Sequence, residues 1–253
     1  VNLLRHPAWG RAQETYGEDP HHVGEMGASL TSGAQRHVMA TLKHFALNSM
    51  ENARFGVDVS IDERALHEVY LPHFKRIIDE GVACVMTAYN SVNGEWCGEN
   101  TALISDILRD EWGFAGFVIS DWIFGLRDGV KSLQAGLDVE MPYRMIRNAP
   151  ITSALAEGLI TEELVGSAVT RTLTTMLKFG VGQLPVNERS VVLCEEHLAL
   201  SQEVAEKSMV LLKNDDVKGS ALLPLNLAAG STIGVFGRLA GVRNIGDGGS
   251  SDV

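Results

Sequence analysis

Short apolar runs alternate with amphipathic segments along the first 140 residues of the chain. Runs with the length and composition of buried strands cover residues 1–4, 38–43, 83–89, 116–120 and 136–140. Strands that alternate with helical segments predict a parallel sheet covered by helices. The spacing of the runs is typical of the βα units of a (β/α)8 TIM-like barrel, so the sequence predicts an α/β fold.

The strongest helical pattern covers residues 61–80, where apolar residues recur at helical spacing on one face. Ser60 and Glu63 have the spacing of a capping box and predict where this helix begins. Pro72 predicts a kink, because proline lacks the N–H that a continuous helix needs. Further helices are predicted over 101–112, 161–179 and 195–213.

The pattern changes near residue 180, where Gly180 and Pro185 predict the end of a helix and a linker. Beyond this point the sequence predicts a strand over 232–236. We therefore predict three segments, which are a partial barrel domain over 1–180, a linker over 181–200 and the truncated beginning of a second domain over 201–253.

The composition is that of a soluble globular protein, with 45% hydrophobic and 21% charged residues. The formal net charge of −11 argues against a nucleic-acid partner, because phosphate binding needs clustered Lys and Arg. No apolar run reaches the ~18–20 residues that cross a bilayer, so no membrane partner is expected. The three cysteines fit neither a disulfide framework nor a zinc site, and we expect no metal and no cofactor.

The chain begins at Val1 inside an apolar run and ends at Val253 just after a glycine-rich stretch. Neither end looks like a natural terminus, so we expect an internal fragment of a longer protein. The sequence does not predict one cellular compartment. The oligomeric state stays open too, with a homo-oligomer as one alternative.

Polar residues stand where the predicted strands end. Asp121 follows the fourth run directly, with Trp122 beside it. Lys43 and His44 end the second run, and Tyr89 ends the third. The C-terminal ends of barrel strands meet at one mouth, where the active sites of such folds lie. An aspartate at the end of a strand is also common as a loop cap, so Asp121 alone does not decide between the two roles.

Arg11 follows the first run and would enter the same mouth if its loop folds inward. These side chains together are typical of a sugar subsite, where cationic donors bind hydroxyls, an aromatic ring stacks on the sugar and a carboxylate faces the anomeric carbon. They are not typical of a metal site, because a His-Glu-x-x-His helix is absent from the sequence. Residues 246–251 are glycine-rich but lack the lysine of a P-loop.

Five segments together resemble glycoside hydrolase family 3, in the family's order and at fitting spacings. They are NLLRHPAWGRAQETYGEDP at 2–20, KHF at 43–45 with Asn48, Glu51, Asn52 and Arg54, TAYNSVNG at 87–94, GFAGFVISDW at 113–122 and AGLDVEMP at 135–142. Each motif alone is weak, but five in order are highly specific, and the similarity covers nearly the whole chain.

The resemblance implies a retaining β-glycosidase that releases terminal β-D-glucosyl residues from an oligosaccharide or an aryl or alkyl glycoside. Asp121 would be the nucleophile that forms a covalent glycosyl-enzyme. The remaining predicted substrate-binding residues are Arg11, Lys43 and His44 on the sugar hydroxyls, Tyr89 against the nucleophile, Trp122 along the subsite, and Arg54 and Met86 beside them.

The resemblance also implies parts that this chain does not contain. The family's acid/base glutamate lies in a second, α/β sandwich domain, beyond Val253, and a sugar-binding aspartate lies upstream of Arg11. We therefore expect an N-terminally truncated barrel followed by the start of the sandwich domain.

Alternative activities stay open. Ala46 and Leu47 follow the Lys-His-Phe segment where the N-acetylglucosaminidase branch has Pro-Gly, which argues against that branch. A β-xylosidase of the same family and a non-catalytic carbohydrate-binding barrel are the main alternatives. An unrelated aldolase that uses Lys43 as a Schiff base is disfavoured, because no group that handles a carbonyl or a phosphate accompanies the lysine.

Overall fold

The structure is a computed structural model that describes residues 2–181, 189–217 and 219–242. The chain divides into two compact units, and the division falls within the predicted linker over 181–200. Residues 182–188 of that linker lie outside the described part. The extents of the predicted domains stay predictions.

The elements follow in chain order. The α-helices are α1 (Pro20–Ala34), α2 (Glu63–Ala65), α3 (Pro72–Asp79), α4 (Gly129–Gln134), α5 (Asn148–Ala156), α6 (Glu162–Lys178) and α7 (Glu195–Lys207). Segments of π-helix cover Leu66–Tyr70 and Ala102–Glu111, and 3-10 turns cover Ala12–Glu14, Cys97–Glu99, Arg189–Val191 and Arg238–Gly241. The strands are β1 (Thr41–Phe45), β2 (Asp58–Val59), β3 (Cys84–Thr87), β4 (Ser91–Val92), β5 (Glu95–Trp96), β6 (Phe117–Ile119), β7 (Asp216–Val217) and β8 (Ser220–Ala221).

The main sheet of the first unit is parallel, with the strand order β1-β3-β6. It confirms the predicted strands at the second, third and fourth apolar runs, although each is shorter than its run. The fifth run forms only a single bridge, between Ile119 and Val139. The strand predicted over 1–4 is wrong for residues 2–4, which form no strand. Asn2 bonds to the backbone of His44 through its side chain, instead of through the backbone hydrogen bonds of a sheet.

Alternate residues of the main sheet face two different apolar clusters, as the pleat of a strand requires. Leu42, Val85 and Val118 belong to the large core beneath the helices. Cys84 and Ile119 belong to a smaller cluster on the opposite face, with Met86 between them. Both faces of the sheet are therefore apolar, as in parallel sheets that are covered on both sides.

The helix predicted over 61–80 is divided into α2, a π-helical segment and α3. The capping box at Ser60 is wrong, because Asp62 is the N-cap and its Oδ1 accepts from Ala65 N at 2.8 Å. The predicted interruption at Pro72 is confirmed. Leu71 N, just before the proline, bonds to the carbonyl of Leu66 five residues back, so the helix widens before α3 begins.

The predicted helices over 101–112 and 161–179 are confirmed as the second π-helical segment and α6. Helices α1, α4 and α5 are not apparent from periodicity. In α1, Gly24 and Gly27 weaken the apolar pattern, although Asp19 caps its start by accepting from His21 N at 2.9 Å. In the ranges described, none of the helices combines the length and the apolar composition that a bilayer crossing requires.

The second unit contains α7 and the hairpin β7-β8. Helix α7 ends at Lys207, so its predicted extension to residue 213 is wrong. The strand predicted over 232–236 is also wrong, because these residues pair with no other strand among those described, and an isolated apolar run cannot complete a sheet by itself.

Candidate active site

The polar residues predicted at the strand ends lie at one edge of the main sheet. His44 lies within β1, Tyr89 lies two residues after β3, and Asp121 lies two residues after β6. Behind Asp121 the chain turns back so closely that a Cβ added to Gly125 would lie 2.4 Å from the Asp121 carbonyl oxygen. Only glycine fits at this turn, which fixes the backbone that carries the carboxylate.

The carboxylate of Asp121 is buried, with 6% of the residue exposed. Its Oδ1 accepts from Trp122 N at 2.7 Å, whereas its Oδ2 has no hydrogen-bond partner among the described residues. Burial raises the pKa of Asp121 above its ordinary value, and the Trp122 N–H, Tyr89, Lys43 and Arg11 act in the opposite direction. One carboxylate oxygen is therefore oriented and the other is left available.

Tyr89 supports the loop that follows Asp121. Its hydroxyl donates to the Trp122 carbonyl at 2.9 Å, a backbone acceptor that the sequence does not reveal. Asp121, the expected neighbour of Tyr89, acts on it through its charge. Burial and the Asp121 charge together raise the pKa of Tyr89, so the phenol stays protonated.

His44 is neutral in this site. Arg11 can only donate, so its Nη1, 2.9 Å from His44 Nε2, fixes Nε2 as the acceptor and leaves the ring proton on Nδ1. Nδ1 lies 3.3 Å from Asn2 Oδ1, which accepts the hydrogen bond that Nδ1–H donates. Burial, followed by Arg11 and Lys43, lowers the pKa of His44 well below its ordinary value. The 3.6 Å contact of Nε2 with Asp121 Oδ2 is thus not an ion pair.

Arg11 is held in place by a bidentate contact with Glu14, at 3.0 Å from Nε and 2.5 Å from Nη2. Glu14 and Asn2 were not among the predicted site residues. Both stand in the first of the five motifs, and the Arg11–Glu14 spacing of three residues was the available signal for one of them. The contact of Asn2 with His44 spans 42 positions and has no local signal.

Arg54 reaches the site from the segment after β1. Its Nη1 pairs with Glu51 Oε2 at 2.7 Å, and its guanidinium lies over the rings of Phe55 and Tyr89, 4.8 and 4.7 Å from their centroids. The structure thus brings Arg54 to Tyr89. Glu51 and Phe55 were not predicted as site residues.

The remaining predicted residues are Lys43, Trp122 and Met86. Lys43 lies in β1, and its charge acts to lower the pKa of both Asp121 and His44. Trp122 is 42% exposed beside the carboxylate. Met86 packs in the smaller apolar cluster, where its side chain is nearly covered. A cavity of about 260 Å³ is lined by Arg11, Lys43 and His44 among others, but Asp121, Tyr89 and Trp122 do not line it.

Two other carboxylates in this unit, Glu140 and Asp138, form structural hydrogen bonds. Glu140 accepts from Ile146 N at 2.6 Å and from Arg147 N at 3.0 Å, so it closes the turn after the fifth run and is not free for a subsite. Asp138 accepts from both Arg109 and Arg171. No cluster of His, Cys, Asp or Glu suited to a metal ion occurs within the described ranges.

Comparison with known proteins places the chain in a family. The sequence profile of the Glycosyl hydrolase family 3 N terminal domain matches residues 1–175. Thermostable beta-glucosidase B of Acetivibrio thermocellus is 39% identical over 85% of this chain and 28% of its own length. The Exo-alpha-(1->6)-L-arabinopyranosidase of Bifidobacterium longum is 36% identical over 100% of this chain and 34% of its own length.

A solved structure supports the same placement. Beta-glucosidase 3B from Thermotoga neapolitana in complex with glucose superposes with a TM-score of 0.78 at 35% identity, over 86% of this chain and 32% of that one. The chain therefore spans about a third or less of the length of these relatives. With a family profile that covers more than half of its residues, this chain belongs to glycosyl hydrolase family 3.

Proposed function

We propose that the protein is an O-glycosyl hydrolase in which Asp121 attacks the anomeric carbon of a bound sugar. The observation that carries the proposal is Asp121 Oδ2, a buried carboxylate oxygen that receives no hydrogen bond from the described residues. The Trp122 N–H holds the other oxygen, so the carboxylate is oriented with one oxygen left for the substrate. A carboxylate that faces the anomeric carbon is the central group of glycoside hydrolysis.

The proposed reaction retains the configuration of the sugar. Oδ2 of Asp121 forms a bond to the anomeric carbon while the bond to the leaving group breaks, and the leaving group departs with the electron pair. Water then hydrolyses the glycosyl-Asp121 bond in a second displacement. The attack requires the ionised carboxylate, and Lys43 and Arg11 favour that form by lowering its pKa against the effect of burial.

The groups around Asp121 would bind the terminal sugar. Arg11, Lys43 and His44 would bind its hydroxyls. Arg11 holds the neutral His44 ring in place for this role. Arg54 would approach from the Tyr89 side. Trp122 would stack on the sugar ring. Met86 would contact the sugar from the smaller apolar cluster of the main sheet.

A retaining mechanism also needs a protonated acid about 5–5.5 Å from the nucleophile. Arg11 lowers the pKa of Glu14 against the effect of burial, and Glu51 pairs with Arg54, so neither carboxylate is free to serve as that acid. We therefore propose that the acid comes from outside this chain, as the partial coverage of the relatives suggests. This chain alone should hydrolyse ordinary disaccharides negligibly, because their leaving groups need a proton.

The same coverage supports a proposal about the whole fold. We propose that the three-stranded parallel sheet belongs to a (β/α)8 barrel over 1–180 and that residues 201–253 begin an α/β sandwich domain after a linker over 181–200. The apolar face that carries Met86 would line the barrel interior, since barrel interiors are filled by layers of side chains.

Names of relatives suggest the substrate class. Relatives called beta-glucosidases support terminal β-D-glucosyl residues as the substrate, on an oligosaccharide or an aryl or alkyl glycoside. The relative called an arabinopyranosidase, which aligns over the whole chain, supports a pentopyranoside as the second candidate, and a β-xyloside is one such substrate. We propose no nucleic-acid or membrane partner.

The test uses a substrate whose leaving group needs no proton. 2,4-Dinitrophenyl 2-deoxy-2-fluoro-β-D-glucoside should release at most one equivalent of dinitrophenolate per chain, because the fluorine slows hydrolysis of the glycosyl-enzyme. Release is followed by absorbance. The corresponding xyloside and α-L-arabinopyranoside, compared in rate, distinguish the glucoside from the pentopyranoside candidate.

The matched control is Asp121→Asn, which keeps the size of the side chain and removes the nucleophile. We expect this variant to release no dinitrophenolate. Equal release from Asp121→Asn and the unchanged chain would contradict the proposed role of Asp121. Binding of glucose without any release from the unchanged chain would favour the non-catalytic carbohydrate-binding alternative.

A further inference from the structure

The first unit contains a cavity of about 700 Å³ that the proposed reaction does not use. Its walls come from the segment at Arg5, from the loop after β1, from β2 with the residues that follow it, and from Tyr70 and Asn90. None of the predicted substrate-binding residues lines it, and it shares no lining residue with the smaller cavity beside His44. Its volume is typical of a ligand site.

One wall of this cavity carries a buried amide that has no partner among the described residues. Asn48 is 1% exposed, and neither its Nδ2 nor its Oδ1 forms a hydrogen bond with them. The Oδ1 of Asn90, which lines the same cavity, is buried without a partner as well. Burial of an unpaired amide is costly, so Asn48 indicates a ligand that both donates and accepts a hydrogen bond.

Other asparagines of the first unit show what such an amide binds. Asn2 Nδ2 donates to the backbone carbonyl of His44 at 2.9 Å, and Asn2 Oδ1 accepts from His44 N at 3.2 Å. Asn93 forms the same two bonds with Ile61, at 3.0 and 2.9 Å. A side-chain amide thus matches the N–H and C=O of one residue in a polypeptide, and the backbone of a further segment would satisfy Asn48 in the same way.

The strand that lines the cavity points to the same kind of ligand. Among the described strands β2 pairs only with β4, so one edge of β2 has no strand beside it. Val57, Val59 and Ile61, in or next to β2, line the cavity with partly exposed apolar side chains. A free strand edge binds an extended peptide through backbone hydrogen bonds, and neighbouring apolar residues then contact the side chains of that peptide.

We infer that this cavity binds an extended polypeptide segment of the longer protein. The backbone N–H and C=O of one residue in that segment pair with Asn48, and its apolar side chains contact the residues of β2. The segment comes from outside residues 1–253, because the chain spans only 28% and 34% of two relatives compared above, which leaves most of such a protein unaccounted for. The inference goes beyond the proposed function, since Asn48 and β2 take no part in the proposed reaction.

The experiment titrates the isotope-labelled chain with the blocked peptide acetyl-alanyl-leucyl-alanine amide. Binding is followed by NMR, through the side-chain NH2 resonances of Asn48 and the backbone resonances of Val57 and Val59. The matched control peptide carries an N-methyl group on its leucine, which removes the N–H that Asn48 Oδ1 would accept. D-Glucose is the second control, because sugar hydroxyls also pair with amides.

We expect saturable shifts of the Asn48 NH2 group and of β2, with weaker binding of the N-methylated peptide. Asn48→Leu should weaken binding of the unmodified peptide by about 5- to 30-fold, the net effect of two hydrogen bonds. This variant should fold, because it removes a buried amide that has no partner in the described part of the chain. Asn52→Leu, at an exposed position outside the cavity, is the matched control and should leave the affinity unchanged.

Three results would overturn the inference. They are a peptide that shifts neither Asn48 nor β2 up to its solubility limit, equal affinities for the two peptides, and shifts of Asn48 with glucose alone. The longer protein tests the source of the segment, because Asn48 should already be paired there and the peptide should not shift it. Binding of the peptide to the longer protein as tightly as to this chain would overturn that assignment. Labelling of Asp121 tests the proposed function separately.

Discussion

At the scale of single residues, the site depends on a conflict between burial and charge at Asp121. Burial raises its pKa, yet the proposed attack needs the ionised form. The folded chain therefore carries a charge that burial disfavours, a common cost of function in enzymes. Arg11 and Lys43 reduce this cost without removing it, since the net direction of the pKa shift is upward.

The raised pKa makes a prediction about stability. The folded state binds the Asp121 proton more tightly than the unfolded state does, so the stabilisation from this group is complete below the unfolded pKa and is lost as the pH rises through the folded pKa. Asp121→Asn should therefore melt at a higher temperature than the unchanged chain at neutral pH. The difference should shrink below about pH 4, where an ordinary aspartate becomes protonated.

Circular dichroism melts at several pH values measure this effect. Asp79→Asn is the control, because Asp79 is exposed and pairs with Lys75 on the surface of α3, so we expect no gain in its melting temperature. A lower melting temperature for Asp121→Asn at neutral pH would show that the carboxylate stabilises the fold, against this account.

The sequence predicted the position of several candidate residues at one edge of the main sheet, but it did not predict their contacts. Asp121, Lys43 and Tyr89 were predictable, because parallel strands bring their C-terminal ends to one edge and each residue closes a strand-like run. The tautomer of His44 was not predictable, since it depends on Arg11 and Asn2, 33 and 42 positions away. The acceptor of Tyr89 was not predictable either, because a backbone carbonyl leaves no mark on the sequence.

At the scale of elements, Asp138 joins two helices to the central strands. Its carboxylate is fully buried and accepts from Arg109 Nη2 at 2.7 Å, Arg171 Nε at 2.8 Å and Val118 N at 2.7 Å. Arg109 lies in the second π-helical segment and Arg171 in α6. One side chain thus neutralises two cations and completes the hydrogen bonding of β6.

Removal of this carboxylate should destabilise the first unit strongly. Asp138→Ala would leave a buried guanidinium and a strand N–H without their acceptor, for which we expect a loss of about 3–5 kcal/mol in the free energy of unfolding. Urea titration followed by circular dichroism gives the value. Asp79→Ala removes one partner of a surface ion pair and should hardly move the midpoint. Equal midpoints for the two variants would contradict the role of Asp138.

Elements with strong periodicity were predicted well, and those defined by local chemistry were not. Helix α6 has a Thr161 cap, acidic residues in its first turn and a regular apolar pattern, and its limits were nearly correct. The cap of α2 was placed two residues too early, because Ser60 and Asp62 both precede a plausible first turn. The widening at Leu66–Tyr70 depends on how the chain accommodates Pro72, which periodicity does not encode.

At the scale of the whole molecule, β1 is an edge strand among the described residues. Its only strand partner there is β3, and the Asn2 side chain bonds to the backbone of His44 on the other side. Exposed strand edges pair readily with other chains. We therefore predict that this chain, by itself, self-associates through the edge of its main sheet.

Light scattering coupled to size-exclusion chromatography measures the association at several concentrations. Thr41→Lys places a charge on the β1 edge and should reduce it, as charged edges do in natural sheets. Leu173→Lys places the same charge on α6 and should have less effect. A monodisperse chain that melts in one cooperative transition would contradict the prediction.

The β/α alternation of the first unit was predictable from the apolar runs, because buried parallel strands are apolar and their helices are amphipathic. The second unit was predicted less well. Its apolar residues, such as Leu211 and Phe236, are exposed in the structure, so apolar character there did not indicate pairing within the described residues. An apolar run forms a strand only where a neighbouring strand is available to pair with it.

The central claim is that Asp121 forms the covalent bond to the sugar. Peptide mapping by tandem mass spectrometry, after reaction with 2-deoxy-2-fluoro-β-D-glucosyl fluoride, locates that bond. The account predicts one fluoroglucosyl group per chain, carried by the side chain of Asp121. A label on any other residue, with the peptide that contains Asp121 unmodified, would contradict it.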